Sequence, residues 1–540
     1  MNKPRLAVVV LFLLVFVAVM GGLPLLKGAF YLGKHEGDTM HLAELVLRMA
    51  DGQWPHLDFM TPIGVLAIAP IAIFVKYGAG LGHAIFYSQI LVAMVLFLPV
   101  LRVAQSRLTG IWPYFFGATV MTLCLALVHG EAQSAVSISM HYNRWAWAIS
   151  YIIIPLAVLA PHGRAMPRLD GALIGFGMAA LVLTKVTYFV AFAPGILVIL
   201  LARRQLSSIL AAAIAGLVVA AGVTMLAGAD FWMAYLGDLQ TVSGSDIRPQ
   251  PGEEFGGVVA SPLYMGASLT LIATVIFLRQ AGRSIEGLAM LFLMPGFFFV
   301  AYQNFGNDPQ WLYLVAMFAF LLRPEGMINN GLGWDLRTSL TNVGIMALAF
   351  GAPSAINLVY SPWRHLAADT EDTVPLLSAL PVHNDVLTFG SRIYRANIAR
   401  SEDGPGTVFA SYRERAKRED EAVLNGEVLE ECLLESGMAA WFEVVTADLE
   451  QAGYGGSHLI GTDLFSAYWL FGDFRPVKGA APWYYGGLSG VENADYLVVP
   501  VCPMATSIRS GMLKSLTEAG WALREVRRTP LYILIEPSAP

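Results

Sequence analysis

His35-Glu36-Gly37-Asp38-Thr39-Met40-His41 follows the first apolar segment and leads, through Gly52-Gln53-Trp54-Pro55-His56-Leu57-Asp58-Phe59, into Thr61-Pro62. Two acids before a short amphipathic stretch, then a Gly- and Pro-containing turn with a third acid, are more than a loop joining two membrane spans needs. From Thr39 to Asp51, Leu42, Leu45, Val46 and Met49 recur at helical spacing, while His41, Glu44, Arg48 and Asp51 fall on the opposite face. The pattern predicts a helix lying flat on the outer leaflet, with carboxylates at the membrane surface.

Around this stretch the composition is that of a polytopic membrane protein. Of 540 residues, 56% are hydrophobic and 14% charged, against roughly 25% charged in soluble domains. The net charge is −6, and no Lys/Arg block is dense enough to hold a nucleic-acid backbone, so nucleic acid is excluded as a partner. Cys124 lies in an apolar span, and Cys432 and Cys502 lie far apart in the polar C-terminal part. Their spacing is not that of a metal site, and it leaves room for one bridge between Cys432 and Cys502.

Met1-Asn2-Lys3-Pro4-Arg5 precedes about 20 apolar residues, Leu6 to Leu26, with no small-x-small cleavage site, which reads as a retained signal anchor with a cytoplasmic N-terminus. The basic turns Arg164 to Arg168, Arg203-Arg204, Arg279 to Arg283 and Arg323 to Arg337 all fall inside if residues 130–144, 229–259 and 302–310 are outside. The chain must then cross an even number of times between Thr61 and Gly130, where three apolar stretches lie. Residues 62–76, only about 15 long and carrying Pro62 and Pro70, are the stretch that should not span, and are read as re-entrant or interfacial. About eleven full crossings remain, with everything after about Ser361 outside.

Asp38 or Thr39 is also an ordinary helix N-cap, and Glu44 with Arg48 an ordinary i,i+4 pair, the reading adopted for the latter two. Capping alone does not account for His35, Glu36 and Asp58 gathered around the same helix. At predicted outer segment ends stand Lys185, in Leu183-Thr184-Lys185, and Arg144, in His141-Tyr142-Asn143-Arg144-Trp145. Charges there are costly enough to mark sites. Asn304, Asn307 and Asp308, in a short outer turn rich in amides, are suited to hydrogen-bonding hydroxyl groups, although a plain Asn/Asp-Pro turn reads equally well. The outer loop from Asp238 to Phe255, with its Gly and Pro content, has the composition of a lid.

The C-terminal part, 361–540, changes character. Arg413 to Glu421 is a charged, helical-looking run, followed by Val428, Leu429, Cys432 and Leu433 at helical spacing. Strand-like runs at Val386 to Phe389, His458 to Ile460, Tyr496 to Val499 and Leu531 to Ile535 alternate with helical stretches, predicting a small extracytoplasmic α/β domain. Trp483-Tyr484-Tyr485-Gly486-Gly487 has the aromatics to stack on a sugar or to pack the domain, and receives no catalytic role.

Over roughly residues 6–360 the chain resembles the GT-C superfamily of integral-membrane glycosyltransferases, which take sugars from polyprenyl-phosphate carriers at the outer face of the membrane. The likeness rests on Glu36-Gly37-Asp38 in the first outer loop (27–61), on Gly52 to Pro62, similar to a G-x-x-P-x-x-D motif before a Pro-containing apolar segment, and on Leu183-Thr184-Lys185. It implies a GT-C-like transmembrane catalytic domain over 1–360 in a bacterial inner membrane, with site and C-terminal domain periplasmic. Asp38, or its neighbour Glu36, would be the catalytic base. His35, His41, Asp58, Asn304, Asn307 and Asp308 would serve the acceptor or support the acids, and Lys185 and Arg144 would hold the donor phosphate. Some members use a divalent cation, Mg or Mn, which Glu36, Asp38 and Asp58 would ligate. Glu-Gly-Asp stands where the protein-mannosyl and lipid A branches carry an Asp-Glu pair, so the choice of base and the acceptor class stay open. The implied activity is inverting transfer from a polyprenyl-phosphate sugar to a lipid-linked or cell-envelope glycan, in contact with membrane lipids. The alternatives are a lipid-linked glycan flippase or transporter, whose charges would be expected near the bilayer midplane, and an inert scaffold of the same fold.

Overall fold

The computed structural model describes residues 5–130, 132–245, 254–303, 308–404, 407–415 and 421–540. Its N-terminal two thirds are helical. In chain order the helices are α1 (Leu6–Lys27), α2 (Glu36–Ala50), α3 (Val65–Lys76), α4 (Leu81–Arg107), α5 (Trp112–Leu125), α6 (His141–Val158), α7 (Pro167–Thr184) and α8 (Val186–Ala202). They continue with α9 (Leu206–Ala227), α10 (Asp230–Ser243), α11 (Phe255–Ala260), α12 (Pro262–Gln280), α13 (Ser284–Gln303), α14 (Leu312–Leu322) and α15 (Leu336–Leu366).

Seven of the described helices, α1, α4, α7, α9, α12, α13 and α15, are long and apolar enough to cross a membrane, which makes the chain an integral membrane protein. The eleven crossings expected from charge alternation also include α5, α6, α8 and α14. Of these, α5, α8 and α14 are apolar but shorter, and α6 is buried along almost its whole length. Helix α3, the stretch expected not to cross, rises about 18 Å, and α14 is shorter still, so length alone does not separate the short helices that cross from the one that does not. Helix α15 runs on to Leu366, so the change of architecture falls about two turns beyond residue 360.

The two ends of the bundle differ in chemistry. At one end Arg102 and Arg107 both bind Asp170, at 2.8 and 2.7 Å, and Arg203 binds Glu286 at 2.9 Å. At the other, Gly33 N donates to Val136 O (2.9 Å), His56 Nδ1 lies 2.8 Å from Asp238, and Gln310 Nε2 donates to Gly130 O (3.2 Å). The loops expected on one face thus share one end, and the basic turns share the other.

The C-terminal part begins with β2 (Thr373–Pro375), β3 (Val386–Phe389), the short α16 (Gly390–Ile393) and β4 (Asn397–Arg400). A two-residue strand of the first loop, β1 (Phe30–Tyr31), pairs in parallel with β3, which pairs antiparallel with β2. Asp385, just before β3, accepts from the backbone N–H groups of Gly82 and His83 and so caps α4. Then come β5 (Val423–Leu424), β6 (Glu427–Val428), β7 (Cys432–Ser436), α17 (Met438–Gln451), β8 (Leu459–Gly461), β9 (Tyr496–Pro500), α18 (Thr506–Glu518), β10 (Ala522–Arg528) and β11 (Tyr532–Ser538). The largest sheet has the order β10-β11-β9-β8, antiparallel except for β9 beside β8.

The helix expected over Val428 to Leu433 is absent. Val428 closes the β5–β6 hairpin and Cys432 opens β7, paired with β4. Asn425 and Gly426, both at positive φ, form the hairpin's turn, the conformation that Asn-Gly adopts most readily. Residues 416–420 of the charged run lie outside the described residues. Cys432 and Cys502 are disulfide-bonded, with Cα atoms 4.8 Å apart. One hydrophobic core runs without a break from Phe30, Leu45 and Ile68 into Phe442, Tyr468 and Leu534, so the first loop and the C-terminal part fold as one body.

A single-cysteine reporter at Ala132 should react with a membrane-impermeant maleimide from the same side as one at Glu518, and one at Arg164 only from the opposite side. Joint labelling of Ala132 and Arg164 would refute the sidedness.

Candidate active site

Helix α2 does not lie flat on a membrane surface. Every residue from Thr39 to Arg48 is buried. Its apolar face packs on α3, and its polar face is covered by the C-terminal part. His41 packs at steep angles against Trp483 and Tyr485, with ring centroids 5.4 and 6.3 Å away. Arg48 donates to Gln53 Oε1 (2.7 Å) and to the carbonyls of Asp58 (2.9 Å) and Val477 (2.8 Å). Phe465 sits so close to Gly37 that a Cβ there would meet the ring at 2.8 Å. The aromatics at Trp483 and Tyr485 therefore pack the C-terminal part onto α2.

Asp38 stands in the first turn of α2. Ser139 Oγ donates to its Oδ2 at 3.0 Å, and the second carboxylate oxygen accepts no hydrogen bond among the described residues. Asp38, His41, Ile63, Ala67, Ser139, His141 and Tyr142 help to line a small cavity of about 30 Å³. Helices α2 and α6 both begin at this cavity, each from a non-glycine residue in the left-handed region: His35 (φ 68°) and Met140 (φ 50°). Such backbone costs about 1–2 kcal/mol per residue and gathers at functional sites. Ser137 steadies both turns, its Oγ lying 2.9 Å from His35 Nδ1 and accepting from Ser139 N.

Lys185 interrupts the run from α7 to α8 in extended conformation (φ −152°, ψ 99°). Its Nζ lies 5.2 Å from the ring centroid of Tyr142, one of the cavity-lining residues, within cation–π range. The turn before α3 meets this break: Gly64 N donates to Thr184 O (3.2 Å), and a Cβ on Gly64 would lie 2.2 Å from Leu183 O. Behind the break an apolar groove of about 310 Å³ runs between α3, α4, α6 and α7, from Leu66, Trp145 and Thr184 at the break past Val95 and Phe176 to Pro99 and Leu173. Helices α3 and α6 separate groove from cavity, each lining both.

The other expected residues lie elsewhere. Arg144 is fully buried, and its guanidinium donates to Val128 O and Ala126 O, both at 2.7 Å. Both Nη atoms are thus committed to backbone carbonyls, and Arg144 does not line the Asp38 cavity. Glu36 is bound by Arg392, with Nη2 2.9 Å from Oε2 and Nε on Oε1, and by Thr388 Oγ1 (3.0 Å). Burial would raise this carboxyl, but those bonds and the Arg392 charge hold it below its ordinary range. Asp58 closes its own turn by accepting from Trp54 N (2.7 Å). Asp308 O accepts from Gln310 N at 2.7 Å, in a turn that does not line the Asp38 cavity. Asn304 and Asn307 lie outside the described residues, as do 246–253 of the expected lid. The part of that loop preceding them is α10, held to the first loop through Asp238, which meets His56 Nδ1 and Thr61 N (3.1 Å).

Glu36, Asp38 and Asp58 do not converge into a cation-binding set. Among the described residues the one group of three ligand-type side chains is Glu430, Cys432 and Cys502, and its cysteines are bonded to each other. Sequence reasoning missed Ser139, Tyr142, Arg392 and Asp238. Ser137-Ile138-Ser139, just before the helix that carries Arg144, was the available signal for the first. Nothing local pointed to Arg392, 356 residues from Glu36.

No protein-family model and no curated protein sequence matches this chain. Among solved structures it is similar to ArnT from Cupriavidus metallidurans in the apo state, at 11% identity over 97% of each chain and a TM-score of 0.37. A likeness of that size fixes neither a family nor an activity.

Glu44 is 2% exposed, and burial pushes its carboxyl up to about 8, against the pull of the Arg48 charge and the Trp469 indole. A carboxyl raised on folding stabilises the fold while protonated, so this contribution is whole below pH 4.5 and is lost as the pH rises through about 8. Glu44→Gln should flatten the fall in melting temperature between pH 5 and 8.5, and parallel profiles would refute this. Gly64→Ala drives a Cβ into the α7 backbone and should cost about 1–3 kcal/mol in thermal or denaturant unfolding. Gly216→Ala, with open space around it, should cost nothing measurable. Equal losses would remove the close-approach argument.

Proposed function

We propose that this chain is an integral-membrane glycosyltransferase of the GT-C kind, moving a sugar from a polyprenyl-phosphate carrier to a lipid-linked or cell-envelope glycan at the outer face of the membrane. The observation that supports the reading is the juxtaposition of an open carboxylate, a cation and an apolar groove between helices. Asp38 lines a polar cavity, Lys185 lies over Tyr142 at its wall, and the apolar groove ends at Thr184, one residue before that lysine.

The groove, walled by leucine, valine, isoleucine and phenylalanine, suits a polyprenyl chain and leaves its phosphate at the Thr184-Lys185 break. Lys185 then counters the phosphate's charge as a compact point charge. In the transfer, the acceptor hydroxyl attacks the anomeric carbon from the face opposite the phosphate, Asp38 takes the hydroxyl proton, and the carbon–oxygen bond to the phosphate breaks with its electrons leaving on the phosphate. Ser139 holds one oxygen of Asp38, so that the other meets the acceptor. Glu36, paired with Arg392, is ill suited as a base, which favours Asp38 of the two candidates. The site is periplasmic in this reading, following the basic turns as the cytoplasmic side.

Purified protein should transfer labelled sugar from at least one member of a panel of undecaprenyl-phosphate sugars to membrane acceptors. Asp38→Asn should lower the rate by about 10²–10⁴-fold, and Lys185→Ala by about 10²–10³-fold, with folding intact. No transfer from any donor, or transfer untouched by Asp38→Asn, would turn the reading toward transport or scaffolding.

A further inference from the structure

The segment that carries Asp38 is tied to the C-terminal part twice. Backbone pairing holds residues 30–32: Phe30 N donates to Asp385 O and Leu32 N to Leu387 O, both at 2.7 Å. Four residues later Glu36 reaches the same strand and the helix after it, through Thr388 and Arg392. On its opposite side the segment is held by the loop before α6, through Gly33 with Val136, His35 with Ser137 and Asp38 with Ser139. The first turn of α2 is thus clamped between two walls from distant parts of the chain. The clamp on one wall is an ion pair whose carboxylate is 11% and whose guanidinium is 42% exposed.

We propose that Arg392 is a positioning residue for the reaction, acting on Asp38 through Glu36. A helix's first turn has no preceding turn to hold it, so its orientation depends on side-chain partners. The two-pronged guanidinium–carboxylate contact fixes direction as well as distance. Glu36 and Asp38 are separated only by Gly37, which adds no side chain of its own to brace the turn. Without Arg392, the turn retains Phe465 packing on Gly37 and the serine contacts, and so stays folded while the carboxylate's aim is lost. The inference rests on the reading of Asp38 as the base, and it adds a task for the C-terminal part: to set that base.

The test uses the full-length protein in lipid nanodiscs with Arg392→Ala, Arg392→Lys and the exchanged pair Glu36→Arg/Arg392→Glu. With undecaprenyl-phosphate sugars as donors, Arg392→Ala should lower kcat about 10–100-fold with KM within about twofold, the sign of an interaction that matters in the transition state rather than in binding. Arg392→Lys, which keeps the charge but not the fork, should fall between, and the exchanged pair should recover at least tenfold over Arg392→Glu alone. Hydrogen exchange of the amides of residues 36–41, which needs no donor, should quicken in Arg392→Ala and slow again in the exchanged pair. Wild-type kcat in Arg392→Ala, an exchanged pair no better than the single variant, or unchanged amide protection would each overturn the proposal. If the wild-type protein transfers from no donor, the reaction fails as read, and amide exchange alone still decides whether Arg392 orders the turn.

Discussion

The arrangement depends on the burial of the polar face of α2. An amphipathic helix beside a membrane ordinarily turns its charged face to water. Here that face carries His41, Glu44 and Arg48 into the core shared by the first loop and the C-terminal part. Buried charge is tolerated only with partners, and each of the three has its own answer. The histidine is packed by Trp483 and Tyr485, the arginine is met by two carbonyls and an amide oxygen, and the glutamate is driven toward its neutral form. These answers lie partly on residues beyond 460, so the helix that bears Asp38 takes its final place only against the C-terminal part.

The same logic separates three carboxylates that lie close in sequence. Asp58 is used by its own turn and Glu36 by a guanidinium, whereas Asp38 meets a single serine hydroxyl and a cavity. Environment divides the acids into two structural ones and one with an oxygen to offer. Arg144 is likewise committed, its guanidinium donating to the Ala126 and Val128 carbonyls beyond the end of α5.

Much of this was legible in the chain. Hydropathy and the Lys/Arg pattern separated the two ends of the bundle, and the run at 62–76 forms the short helix α3. The β-rich C-terminal part was readable from alternating apolar runs at 386, 459, 496 and 532. Two failures are physical. Periodicity on α2 identified a helix and its faces correctly but assigned the polar face to water, because the partners that cover it lie more than 400 residues away. At Val428 to Leu433 an apolar spacing that fits a helix also fits a hairpin followed by a strand, and Asn425-Gly426 was the deciding signal. The pairing of Arg144 with the Ala126 and Val128 carbonyls was not legible either, because it depends on the path of the chain beyond α5.

The pairing of β1 with β3 bears on how the molecule is made. Phe30 leaves the ribosome early and Val386 far later, after all the intervening helices have been synthesised. Until then the first loop has no strand to join, Glu36 has no guanidinium, and the polar face of α2 has no cover. Loop closure over such a span is entropically expensive mainly in having to happen at all, since each doubling of length adds only about 0.6 kcal/mol. The wait is therefore set by synthesis and membrane insertion rather than by chain search. A truncated or stalled chain would hold Asp38 on an unsupported amphipathic segment, so the order of this segment reports the completion of the polypeptide.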